Sequence, residues 1–206
     1  MENKKMSFAV DTSSITLRDI MDRQFLELSM RAISTVDPNL NMTHFTKESL
    51  YKALPTFKNK PILGFFQNGD FGTHNGTERH DSSTGIDYWK ADERILGLIR
   101  SEDKVEVVED PNVKGLYWIQ LTCALWTQYA YEQIKRLFDD ALKHQQDGKG
   151  AKSISVEVDI TDYDDTRPDK VLEIKDFMLN GITILGSQYG MAVTPAIQGA
   201  AVFIDD

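Results

Sequence analysis

The segment from residue 152 to residue 160 carries side chains that could take part in chemistry. It reads Lys-Ser-Ile-Ser-Val-Glu-Val-Asp-Ile, so polar and apolar residues alternate. This alternation predicts a strand with one face in a core, and it places Ser155 and Glu157 together on the other face. A serine hydroxyl becomes a nucleophile when a neighbouring base takes its proton. Because alternation is also typical of ordinary half-buried strands, the interpretation depends on a base elsewhere in the chain.

Histidine is the usual base for such a serine, because the pKa of imidazole lies near neutrality. Two histidines, His74 and His80, lie in a long polar stretch that covers residues 67–93. A loop of this length inside a compact domain is uncommon and often functional. Taken alone, either histidine is better explained as a loop residue without a chemical role. His44 and His144 lie beside predicted helices and are weaker candidates.

The elements that must position these residues are mostly short strands. A helical spacing predicts a helix from Thr16 to the Asp-Pro pair at 37–38, a short helix after Thr46, and a third helix over residues 129–144. The predicted strands cover residues 61–66, 94–100, 104–108, 115–125, 153–160, 171–177, 181–185 and 200–204. Many short strands with two or three helices indicate a mainly β or α+β domain built on a β-barrel.

Composition limits the function classes. The chain has 206 residues, of which 41% are hydrophobic, so we expect one domain over residues 1–206, with residues 1–13 as a loose arm or a first strand. The net charge is −9 and no basic stripe is present, which argues against a nucleic-acid partner. No apolar run reaches the length of a membrane span, so no membrane partner is expected. The single cysteine, Cys123, excludes an internal disulfide.

A run of aspartates from Asp159 to Asp169 raises a second chemical possibility. Carboxylates at such density could bind a divalent cation, which would make the chain a metal-dependent enzyme. The spacing lacks the central glycine and the closing glutamate of an EF-hand loop, so a solvated charged loop is the preferred interpretation. The sequence also lacks nucleotide-binding glycine loops and zinc-ligand spacings, so neither a cofactor nor a metal is expected.

Taken in order, several segments resemble the head-maturation (prohead) proteases of tailed phages. The segments are Lys60-Pro61-Ile62-Leu63-Gly64, the Gly-Asp-Phe-Gly-x-His element at residues 69–74, Ile95-Leu96-Gly97-Leu98-Ile99, residues 117–126 before the third helix, Ser155-Val156-Glu157, residues 180–186, Pro195-Ala196 and Gly199-Ala200. The resemblance spans residues 58–202. Each motif is short, and their order and spacing together carry the resemblance.

The resemblance implies a fold and an activity. The family is similar to the herpesvirus assembly proteases, which implies a closed β-barrel of about six or seven strands surrounded by helices. It implies a serine protease with Ser155 as the nucleophile and an earlier histidine as the base. His74 is preferred because it lies within the Gly-Asp-Phe-Gly-x-His element, and His80 is the alternative. The residue that orients the imidazole stays open between Asp176, Asn180 and Glu157.

The resemblance also implies substrates, partners and a place of action. The backbone of the turn at Gln188 and Tyr189 is the candidate oxyanion hole. The substrates would be the scaffold protein and the major capsid protein, cleaved inside the assembling prohead in the host cytoplasm. The herpesvirus relatives form dimers, so a homodimer is a further expectation. The alternative is a catalytically inactive module of the same fold that docks scaffold during capsid assembly.

Overall fold

A closed β-barrel is the centre of the fold in the computed structural model, which describes residues 21, 23–144, 150–188 and 191–204. In chain order the strands are β1 (Phe25–Ser34), β2 (Thr43–Phe45), β3 (Pro61–Gly64), β4 (Phe66–Gln67), β5 (Asp70–Phe71), β6 (Gly76–Asp81), β7 (Ile86–Ala91), β8 (Arg94–Leu98), β9 (Val105–Glu109), β10 (Tyr117–Trp126), β11 (Lys152–Asp164), β12 (Leu172–Ile184), β13 (Ser187–Gln188), β14 (Met191–Ala192) and β15 (Ala201–Ile204). The helices are α1 (Lys47–Ala53), a 3₁₀ turn (Leu54–Phe57) and α2 (Tyr131–His144).

Seven strands close the barrel in the order β1, β15, β11, β12, β3, β8 and β10, and β10 pairs back with β1. The strand pairs of the barrel are antiparallel except for β12 with β3, which makes the sheet mixed. The predicted closed barrel is therefore confirmed. The predicted surround of helices is found only in part, because the described residues contain two α-helices. Neither of them is long and apolar enough to cross a membrane.

Strand β1 corrects the helix that was expected from Thr16. That helix is wrong over residues 25–34, where alternate side chains such as Leu26 and Leu28 are buried in the core. Both a helical and a strand spacing can be drawn through the apolar residues here. The segment forms a strand because it pairs with β10 on one side and with β15 on the other. The arm expected at residues 1–13 and the start of the helix lie outside the described residues.

The polar stretch over residues 67–93 forms hairpins, which corrects its prediction as a long structureless loop. Strand β4 pairs with β5, and β6 pairs with β7 as a separate two-stranded sheet. Gly85 ends the β6–β7 turn with a φ of +72°, and its amide donates a hydrogen bond to the Asp81 carbonyl. The Ser-Ser-Thr-Gly turn at residues 82–85 is the local signal for this hairpin, because the residues from Thr77 to Asp81 are all polar and show no alternation.

Three other predicted elements are confirmed. The short helix α1 begins where expected, because the Thr46 hydroxyl accepts a hydrogen bond from the Ser49 amide and caps it. The predicted hairpin joins β9 to β10, and the Asp110 carboxylate organises its turn by accepting from the Asn112 amide. The helix expected over residues 129–144 is α2.

Strands β8 and β10 approach each other so closely that glycine is required at position 97. A Cβ built on Gly97 would lie 1.9 Å from the carbonyl oxygen of Ala124. Replacing Gly97 with alanine must push β8 away from β10, and we expect the free energy of unfolding to fall by at least about 2 kcal/mol. Denaturant unfolding of Ile95→Ala is the control. This side chain is 62% exposed on the same strand, and we expect a change within about 0.5 kcal/mol. Equal stability of the two variants would contradict the close approach.

Candidate functional site

The imidazole of His74 lies between two carboxylates. Its Nδ1 atom is 3.6 Å from Glu93 Oε1 and 3.6 Å from Glu157 Oε1. The Glu93 side chain is 3% exposed, whereas the side chains of His74 and Glu157 are each 38% exposed. The ring therefore has acidic groups on its Nδ1 side and remains partly open to solvent. This is the arrangement of an imidazole that carboxylates orient and that can still meet a molecule from solution.

Ser155 lies on the same face of β11 as Glu157. The register with β12 places Ser155 opposite Thr183 and Glu157 opposite Gly181. Thr183 is fully buried, and its hydroxyl donates a 2.7 Å hydrogen bond to Glu157 Oε1. No hydrogen bond joins Ser155 to His74 within the described part of the chain. Two residues along a strand span about 6.6 Å, so Ser155 is one strand repeat from the carboxylate that His74 contacts.

The Asp-Phe-Gly segment at residues 70–72 positions His74 near the face of β11 that bears Glu157. Phe71 is fully buried and packs edge-on against Phe66, with the ring centroids 5.3 Å apart. The Gly72 carbonyl accepts a 2.9 Å hydrogen bond from the amide of Gly186, directly after β12. A Cβ on Gly186 would lie 2.2 Å from the Phe71 carbonyl oxygen, so this approach requires a glycine there. These contacts attach the loop that bears His74 to the strand beside β11.

Glu93 belongs to the site although the sequence did not single it out. Its Oε1 accepts a 2.7 Å hydrogen bond from the Asn75 amide, and its buried Oε2 has no hydrogen-bond partner among the described residues. The base of the β6–β7 hairpin closes through a hydrogen bond from the Asp92 amide to the Asn75 carbonyl. The hairpin thus returns the chain to His74. Recognising that hairpin in the sequence would have predicted that residues 74 and 93 are neighbours.

The other sequence candidates lie elsewhere. His80 is on β6, where its Nδ1 is 2.7 Å from Asp87 Oδ1, and both side chains are mostly exposed. Asp176 pairs with Asp162 on β11, roughly 20 Å of strand away from Ser155. Asn180 is exposed. The register between β11 and β12 shifts at this residue, so Asn180 lies opposite no residue of β11 and forms a β-bulge. The structure therefore brings His74 and Glu157 together, with Ser155 two residues from Glu157 on β11, and places the other three candidates elsewhere.

The turn that was expected to bind an oxyanion follows β12. The Gly186 amide is used in the hydrogen bond to Gly72. Gln188 lies in β13 and pairs with Met191, so its backbone belongs to a short hairpin. Tyr189 lies outside the described residues.

An ion network lies beside the site, at a cleft of about 790 Å³. Its central members are Asp70, Arg136, Asp140 and Lys152, which come from β5, α2 and β11. Burial acts to raise the pKa of the Asp140 carboxyl, but hydrogen bonds from Lys152 and from Lys143 outweigh it, and the pKa is lowered from its ordinary value. Asp140 therefore contributes stability above its unfolded-state pKa, and this contribution is lost as the pH falls through its lowered pKa.

Within the aspartate run, Asp164 at the end of β11 and Asp169 beyond it are occupied by protein partners. Asp164 accepts hydrogen bonds from Lys175 Nζ at 2.8 Å and from the Thr166 hydroxyl at 2.6 Å. The hydrogen bond from Lys175, followed by those from Thr166, holds the pKa of Asp164 well below its usual range. Asp169 pairs with Arg167 at 2.7 Å. Among the described residues no group of three or more His, Cys, Asp or Glu side chains is placed to hold a metal ion.

The fold and the site define a mixed seven-stranded β-barrel protein in which a histidine lies between two carboxylates, one of them on the strand that carries Ser155. The sequence model of the YonD N-terminal domain, a phage-associated family name, matches residues 24–205, so the chain belongs to this family. Comparison with curated proteins and with solved structures gives no match.

Proposed function

We propose that this chain is a serine endopeptidase of phage head assembly, similar in fold to the herpesvirus assembly proteases, that cleaves scaffold and capsid proteins inside the prohead. The observation that carries the proposal is the position of His74. Its Nδ1 faces the carboxylates of Glu93 and Glu157, while Ser155 lies on the same strand face as Glu157. The phage-associated family name and the closed barrel agree with this assignment.

The chemistry that we propose is acyl transfer. Ser155 Oγ attacks the carbonyl carbon of a peptide bond, and its proton moves to Nε2 of His74, the ring nitrogen that the carboxylates leave free. The C–N bond then breaks, and the imidazolium returns the proton to the leaving amine. Water attacks the resulting ester by the same route and regenerates the serine. Glu93 and Glu157 hold Nδ1–H toward themselves and stabilise the imidazolium that forms.

The distances at His74 agree with carboxylates that orient its ring. The 3.6 Å separations at Nδ1 are within the range where small movements of the ring produce hydrogen bonds. The groups that surround the ring are held more firmly, because Thr183 fixes Glu157 and the Asn75 amide fixes Glu93.

Covalent labelling tests the proposal. A fluorophosphonate reagent phosphonylates a serine that a base has activated, and we expect one adduct, on Ser155, when the labelled chain is digested and mapped by mass spectrometry. EDTA in the reaction should leave the labelling rate unchanged, because the proposed chemistry uses no metal. Absence of labelling on Ser155, or labelling that EDTA abolishes, would contradict the protease. The first result would favour the docking module and the second the metal-dependent enzyme.

A further inference from the structure

The ion network beside the site connects the loop that bears His74 to the strand that bears Ser155. Lys152 Nζ on β11 is 2.7 Å from Asp70 Oδ1 and 2.8 Å from Asp140 Oδ2. Arg136 Nε on α2 is 3.1 Å from Asp70 Oδ1 and 2.9 Å from Asp140 Oδ2. Two cations thus share two carboxylates, and each carboxylate contacts both cations.

Burial makes this network sensitive to the loss of Asp140, Lys152 or Asp70. The side chains of Asp140, Lys152 and Asp70 are 7%, 11% and 20% exposed. Water screens charges at such positions much less than at the surface, so an unpaired charge left behind is costly. A buried ion pair adds little stability beyond what apolar packing would supply, and its best supported contribution is a fixed geometry.

The network lies next to both proposed reacting groups in the chain. Asp70 precedes Phe71 and Gly72, whose contacts with Gly186 attach the loop to the end of β12. His74 follows Asp70 by four residues, and Ser155 follows Lys152 by three. The backbone contact at Gly186 fixes the loop against β12, whereas the pair of Asp70 and Lys152 fixes it against β11 itself.

We propose that the Asp70–Lys152 ion pair is a positioning device that sets the His74 loop, residues 70–75, at the correct distance from Ser155. The expected effect on the rate of catalysis rests on the proposed protease function. The expected effect on the position of the loop does not. The pair touches no reacting atom, so Asp70 and Lys152 are positioning residues.

Two variants each remove one charge of the pair, and a third keeps both charges. Lys152→Met and Asp70→Asn remove one charge each, and Lys152→Arg keeps the cation on β11. Lys135→Met is the matched control, because Lys135 lies on α2 and forms an exposed ion pair with Asp139 on the same helix, at 2.8 Å. All variants are made in the full chain, and their melting temperatures are recorded.

Hydrogen exchange followed by mass spectrometry gives the first measurement. We expect faster exchange in the segment from residue 65 to residue 76 in Lys152→Met and Asp70→Asn, and unchanged exchange there in Lys152→Arg and Lys135→Met. Unchanged exchange of this segment in both charge-removing variants overturns the proposal, whatever their activity. Two variants are used so that failure of one to fold leaves the other to decide.

The second measurement is the rate of fluorophosphonate labelling of Ser155, together with kcat and KM for cleavage of a peptide substrate. A misplacement of about 1 Å lowers reaction rates by about 10²-fold, so we expect that decrease in labelling and in kcat for Lys152→Met, with little change in KM. Lys152→Arg should recover most of the rate. Faster loop exchange with an unchanged kcat would overturn the positioning role. If the wild-type Ser155 is not labelled at all, the protease proposal fails, and the exchange experiment alone decides the structural proposal.

Discussion

Replacing Ser155 with alanine is expected to abolish peptide-bond cleavage. In a serine protease the loss of the nucleophile lowers kcat by about 10⁶-fold, and a small residual rate remains because the enzyme still binds and polarises the substrate. The variant should fold normally, because Ser155 is half-buried and no hydrogen bond of its hydroxyl is found within the described residues. Cleavage of purified scaffold protein, followed by gel electrophoresis and mass spectrometry, measures the effect.

The matched control for this experiment is Ser153→Ala. Ser153 lies two residues earlier on the same strand and therefore on the same face, so it tests whether the loss follows any hydroxyl on this surface. We expect it to cleave at a rate close to that of the wild type. Equal cleavage by the Ser155→Ala variant and the wild type would rule out Ser155 as the nucleophile. In that case the inactive docking module becomes the better account of the barrel.

Much of the barrel could be predicted from the sequence, because its strands carry local signals. The alternation in β11, the turn residues between β9 and β10, and the cap of α1 at Thr46 each act within a few residues. The error at β1 has a different origin. Its apolar residues fit two periods: the strict alternation from Leu26 to Ala32 favours a strand, and the spacing of Phe25, Leu28 and Ala32 favours a helix. Pairing with β10 and β15, which are distant in sequence, decides between the two.

The site was predictable only in part for the same reason. Ser155, His74 and Glu157 belong to short motifs that can be recognised individually. Glu93 has no motif, and it enters the site because the β6–β7 hairpin folds back on itself. Asp70 and Lys152 are ordinary charged residues in the sequence, and they meet only because β5, α2 and β11 come together around one cleft. Long-range contacts of this kind leave no periodic signal.

The two carboxylates at His74 are expected to differ in their effect on catalysis. Both Oε1 atoms are 3.6 Å from Nδ1, but the Glu93 side chain is 3% exposed and that of Glu157 is 38% exposed. The attraction between a carboxylate and an imidazolium is larger where water is excluded, because the effective dielectric constant is lower. We therefore expect Glu93→Gln to lower kcat by up to about 10⁴-fold, the loss seen when the triad carboxylate of a serine protease is neutralised.

Glu157→Gln is the comparison variant, and its smaller effect follows from solvent screening. Exposed ion pairs contribute up to about 1 kcal/mol, so we expect kcat to fall by about tenfold or less. Glutamine keeps the oxygen that accepts the Thr183 hydroxyl, which leaves the strand pairing intact. Steady-state cleavage of one peptide by both variants gives the ratio directly. A larger loss in Glu157→Gln than in Glu93→Gln would make Glu157 the main orienting group.

Thermal unfolding separates this catalytic effect from damage to the fold. In Glu93→Gln the amide oxygen can still accept from the Asn75 backbone, and the amide nitrogen replaces Oε2, a buried oxygen without a hydrogen-bond partner among the described residues. The substitution therefore removes a buried charge and sacrifices no described hydrogen bond, so the melting temperature should stay the same or rise. A protein that keeps a costly buried charge loses activity and gains stability when the charge is removed. If both kcat and the melting temperature fall, Glu93 stabilises the fold, and Glu157 becomes the main group that orients the imidazole.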